Sequence, residues 1–178
     1  MMNDFINFNG TLLRRIPHAP DSGEQFYVSS DGKIGLHVAP DGVQTVVNAT
    51  PTTCANCKIL SDANRKQRYL QFKHAFGKDK HILVSHAVYL AWSGQRIPLY
   101  HQIHHLNGIV TDNYIDNLLC VLISQHYRIA DVRQRALETI VPDGDLTCFS
   151  YQELRRLQDP RTLSDEDFRK ELSKIIEN

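Results

Sequence analysis

The hydrophobic runs of the N-terminal part read as short strands separated by turns. Phe26-Tyr27-Val28 leads into Ser29-Ser30-Asp31-Gly32, and Lys33 to Val38 follows, so the Asp-Gly pair predicts a hairpin. Pro40-Asp41-Gly42 marks a second turn before Val43 to Val47. Arg68 to Phe72 and His81 to Val84 flank Gly77-Lys78-Asp79-Lys80, which predicts another hairpin. Ser85 to Ser93 then reads as a short helix closed by Gly94. Leu99 to His105 alternates as a strand, Asn107-Gly108 turns it, and Leu118 to Ile123 forms a second, compact strand. Ser124 is placed to cap a helix from Gln125, with Ile129, Val132, Ala136, Leu137 and Ile140 on its buried face. Two later helices carry capping signals, Ser150 before Glu153 and Ser164 before Asp167. In the second of these, Phe168, Leu172, Ile175 and Ile176 form one apolar stripe. Val141 to Asp145 is the candidate linker, and no internal repeat or low-complexity tract is present.

These elements predict an α+β fold: N-terminal antiparallel β-hairpins, a strand–loop–strand–helix core and a C-terminal helical hairpin. The expected division is residues 1–140, with the core at about 97–140, and an acidic appendage at 141–178. At 178 residues and 42% apolar, the chain is long and apolar enough to bury a core, which excludes wholesale disorder. No apolar run reaches the ~18 residues of a membrane span, and Met1 to Gly10 lacks a signal-peptide layout, so a cytoplasmic setting without membrane attachment is expected.

Charge changes the picture. The formal net charge is zero, with 20 basic and 20 acidic residues. Residues 1–99 nevertheless carry +4 and residues 100–178 carry −4, and residues 58–81 alone carry +5. That basic stretch is interleaved with Tyr69, Phe72 and Phe76, a composition suited to a phosphate backbone. Its candidate contacts are Arg65, Lys66, Arg68, Lys73, Lys78 and Lys80, with Arg128 and Arg133 further along the chain. A solvated face explains each of them singly as well.

The chemistry concentrates in Tyr100 to Arg128. His104 and His105 are strand neighbours, so their side chains point to opposite faces. One of them can join a cation with His126 while the other faces a substrate. His104-His105, Asn117 twelve positions on and His126 nine further resemble the HNH endonuclease family, whose unit is a ββα-metal (His-Me) finger. Asn107-Gly108, Thr111-Asp112-Asn113 and Asp116-Asn117-Leu118 resemble its homing-endonuclease branch. Upstream, Tyr27 to Ile34 and His86-Ala87-Val88 followed by Trp92 are similar to the elements preceding that branch's motif, so the resemblance spans about residues 25–135.

The resemblance implies that His105 is the general base, that His104 and His126 hold one divalent cation, and that Asn117 orients His105. It implies double-stranded DNA as substrate. Two imidazoles without a carboxylate favour Mn²⁺, Ni²⁺ or Zn²⁺ in affinity, and Mg²⁺ is expected in cells by abundance. Cys54-Ala55-Asn56-Cys57 lacks the second pair of a zinc site, so a structural zinc there is not expected. The alternative function is a DNA-binding module on the same scaffold with little or no cleavage. A third reading gives the C-terminal helices a protein partner or self-association.

Overall fold

The computed structural model describes residues 4–17, 23–52, 69–73 and 81–177. It is a mixed α+β chain with antiparallel sheets and C-terminal helices, in two compact units. The first comprises Met1–Arg96 with Val110–Ile115; the second comprises Ile97–Ile109 with Asp116–Asn178.

In the first unit, β1 (Phe5–Phe8), β2 (Thr11–Arg15), β3 (Gln25–Ser29), β4 (Gly35–Val38) and β5 (Gln44–Val47) form one five-stranded meander in chain order. Asn9 and Gly10 make the first turn, both with positive φ (51° and 82°), the geometry a two-residue hairpin demands. The hairpins expected at Asp31-Gly32 and Pro40-Asp41-Gly42 are present, with Tyr27 opposite Leu36 and Leu36 opposite Val46. Leu13, Tyr27 and Leu36 are the buried centre of one face. A second sheet orders β6 (Ala49–Thr52), β7 (Tyr69–Lys73) and β8 (His81–Leu83). Helix α1 (Val84–Ser93) ends at Gly94 in the left-handed conformation, as its sequence predicts. Trp92 Nε1 donates to the Val28 carbonyl oxygen at 3.0 Å, tying α1 to the meander.

In the second unit, β9 (His101–His105) pairs antiparallel with β10 (Leu118–Leu122). Helical chain follows directly as α2 (Ile123–Arg128), a π-helical segment (Ile129–Gln134) and α3 (Arg135–Ile140). The start differs from the expected Ser124 cap: Leu122 holds the N-cap position and makes no side-chain cap bond. The register differs too. A π turn accommodates an extra residue, so the inward position falls on Arg133, 1% exposed, while Val132 is 56% exposed.

Helices α4 (Tyr151–Gln158) and α5 (Asp165–Glu177) complete the unit. Ser150 and Glu153 close a full capping box, and Asp167 N donates to Ser164 Oγ at 3.1 Å. Of the expected α5 stripe, Phe168, Leu172 and Ile175 reach the core, and Ile176 lies outside it at 62% exposed.

The division expected at residue 140 gives way here. Leu106, Leu119, Val121, Ile129 and Leu137 share one core with Leu146, Leu154, Leu157 and Phe168, so residues 141–178 belong to the same unit as the β9–β10 hairpin. The expected linker, Val141 to Asp145, contains a 3₁₀ turn (Pro142–Gly144) with no buried residue, and a second 3₁₀ turn (Leu146–Cys148) follows it and buries Leu146. Among the described residues, no helix is long and apolar enough to cross a membrane.

Candidate active site

Cross-strand pairing fixes where the strand histidines point. His104 lies opposite Leu119 and His105 opposite Leu118, so the two occupy opposite faces of the hairpin. Leu119 and Val121 are core residues, which places His104 on the face covered by the helices of its own unit. His104 is 4% exposed and His105 5%.

The π-linked helix begins where β10 ends, and that continuity brings His126 back toward β9. The His104 and His126 rings stand 5.1 Å apart between centroids, crossing at 77°. Burial drives the His104 imidazole down to about 3, helped by the neighbouring His126 and His105 and opposed by a hydrogen bond to Gln158. Burial also lowers His126, against a weaker upward pull from Asp131. Both rings are therefore neutral at pH 7, the form in which an imidazole binds a cation. His126 Nδ1 is buried without a hydrogen-bond partner among the described residues.

Asn117 is fully buried in the 3₁₀ turn (Ile115–Asn117) that enters β10. Its Oδ1 accepts from Asn107 N at 3.0 Å, and its Nδ2 donates to Asn107 Oδ1 at 2.9 Å. Its carbonyl oxygen accepts from Leu106 N at 2.9 Å. Gly108, at φ 76°, closes the adjoining turn by donating its N–H to the His105 carbonyl oxygen at 3.0 Å. Asn117 thus ties the loop after His105 to the start of β10.

Two residues that the spacing does not single out support this arrangement from α4. Arg155 donates to the carbonyl oxygens of Asp116 and Leu118 at 3.1 and 2.9 Å. Gln158, fully buried, accepts from His104 Nε2 at 2.8 Å and donates to the Leu106 carbonyl oxygen at 2.6 Å. Its one signal in the sequence is a polar residue four positions after Leu154, on an otherwise apolar helix face.

The expected phosphate contacts divide. Arg133 is not one: its guanidinium is buried and donates to the Leu157 and Leu163 carbonyl oxygens and to Asp165 Oδ1, at 3.1, 2.8 and 2.7 Å. Arg128 is 59% exposed and paired with Asp165. Lys73 is exposed at the end of β7. Arg65, Lys66, Arg68, Lys78 and Lys80 lie outside the described residues, as do Cys54 and Cys57.

The His104–His126 pair fits a cation in one respect after another. With metal–nitrogen bonds of about 2.0–2.1 Å and a near-tetrahedral angle, two imidazoles on one ion set their centroids roughly 5 Å apart. The rings match that separation, are neutral and include one unsatisfied buried nitrogen. Among the described residues, no third His, Cys, Asp or Glu completes a cluster. A cation held here would draw its remaining donors from water and substrate, the open form that catalysis uses. No family model, curated protein or solved structure matches the chain.

Proposed function

We propose that the chain is a metal-dependent endonuclease of the HNH type, hydrolysing DNA phosphodiester bonds on a ββα-metal (His-Me) finger. The observation that carries this reading is the His104–His126 pair: two neutral imidazoles, 5.1 Å apart, joined by a strand and helix that follow the motif's order. His104 and His126 are the residues that would hold the divalent cation. When bound, it would supply positive charge to the scissile phosphate and the leaving 3′ oxygen.

His105 acts as general base, taking a proton from the attacking water onto a ring nitrogen. A base of this kind contributes about 10²- to 10⁴-fold in rate. Asn117 keeps the turn after His105 in one conformation, so the imidazole is not free to drift with the loop. Lys73 and the other basic residues of the 58–81 stretch of the sequence are the candidates to contact the phosphate backbone, which makes affinity fall with salt.

The second reading, a DNA-binding module with little cleavage, draws on the 5% exposure of His105. One assay separates the two. Supercoiled plasmid is incubated with Mg²⁺, Mn²⁺, Ni²⁺ or Zn²⁺, and His105→Ala serves as control. Metal-dependent nicking that the variant loses supports the nuclease. Salt-dependent binding without nicking under any metal supports the module.

A further inference from the structure

Gln158 sits at the C-terminal end of α4 and uses both ends of its amide inside the second unit. The Leu106 carbonyl oxygen can only accept, so the amide NH₂ faces it and the amide oxygen faces His104 Nε2. An amide oxygen also only accepts, so His104 Nε2 carries the hydrogen. In a neutral imidazole the lone pair then resides on Nδ1.

We propose that Gln158 is a positioning residue that holds His104 as its Nε2–H tautomer and so makes Nδ1 the nitrogen His104 offers to a divalent cation. This inference rests on the reading of His104 and His126 as the cation's ligands. The opposite tautomer sets two lone pairs against each other across a buried contact, since Gln158 is fully buried and His104 4% exposed. The main-chain bond to Leu106 keeps Gln158 from rotating its donor toward His104 instead. A residue from the C-terminal helices thereby sets the chemistry of a ligand on β9.

The test reads the ring nitrogens directly. In metal-free protein with ¹⁵N-labelled histidine, assigned with His104→Gln, the two-bond ¹H–¹⁵N pattern of His104 should show Nε2–H. Added Zn²⁺ should perturb the His104 Nδ1 resonance and leave Nε2–H in place. Gln158→Met preserves side-chain length and removes the acceptor. It should mix the tautomers and weaken Zn²⁺ binding by about 10- to 100-fold. An Nδ1–H pattern in the wild type, Zn²⁺ landing on Nε2, or a Gln158→Met protein with unchanged tautomer and affinity overturns the proposal. The wild-type readings stand even where a variant does not fold. Zn²⁺ on Nδ1 in a protein that nicks nothing upholds this inference and removes the endonuclease reading. Nicking with Zn²⁺ on Nε2 does the reverse.

Discussion

Asn117 shows how much a single amide settles. It is fully buried and makes hydrogen bonds on both amide atoms, so removing it strands polar groups of Asn107 away from water. Asn117→Ala should cost about 2 kcal/mol in urea unfolding. A variant as stable as the wild type would show that the loop does not depend on this contact. His104 makes the second prediction at this scale. Its imidazole protonates near 6.5 when exposed in the unfolded chain and near 3 in the fold. Between those values the unfolded state binds the extra proton, so acid favours unfolding. The contribution is fully present above pH 6.5 and is lost progressively as pH falls toward 3. In metal-free protein, the slope of stability against pH in that window should exceed that of His104→Gln by up to about 1.4 kcal/mol per unit. Equal slopes would mean that His104 is not buried as a neutral ring. The four motif positions were legible as a spacing because a strand end and a helix turn return at fixed residue separations. Gln158 was not, since its contact with His104 joins residues 54 positions apart.

At the scale of elements, strands and capped helices were legible where a local signal decides them. The Asp31-Gly32 turn, the Gly94 terminus and the Ser150 capping box all form as read. Asn9-Gly10 is as strong a hairpin signal, and it accounts for β1 and β2, which the pattern of the opening residues does not announce. The π-helical segment escaped for a physical reason. A 3.6-residue period assigns Val132 to the core, and the extra residue of the π turn delivers Arg133 there instead. That exchange turns a supposed phosphate contact into the brace that holds the α4–α5 connection through three acceptors. Arg133→Met strands the Leu157 and Leu163 carbonyl oxygens and should therefore destabilise the fold by about 2 kcal/mol, read by denaturant unfolding. The salt dependence of DNA binding should stay as in the wild type. Loss of DNA affinity at unchanged stability would restore Arg133 to the phosphate contacts.

At the scale of the molecule, zero net charge conceals a basic stretch at residues 58–81 and an acidic C-terminal portion. The acidic portion is built into the core of the unit that carries His104, His105, Asn117 and His126. Its inclusion was not legible because Leu146, Leu154, Leu157 and Phe168 read equally well as the apolar face of a separate hairpin. Each buries roughly 1.5–3 kcal/mol of apolar side chain, a sum comparable with the ~5–15 kcal/mol that holds a domain folded. In a chain ending at residue 140 the amides of β9 and β10 should lose their protection from hydrogen exchange, whereas wild-type protection there would make 141–178 an appendage after all. The central claim is that this unit hydrolyses DNA with His105 as base. The most direct measurement is nicking of supercoiled plasmid with Mg²⁺ or Mn²⁺ by the wild type and by His105→Ala, at matched DNA occupancy. The account predicts metal-dependent nicking by the wild type and a loss of about 10²- to 10⁴-fold in the variant, with fold and DNA affinity retained. Nicking that survives in His105→Ala, or a wild type that binds DNA and cleaves it with no divalent ion, would contradict it.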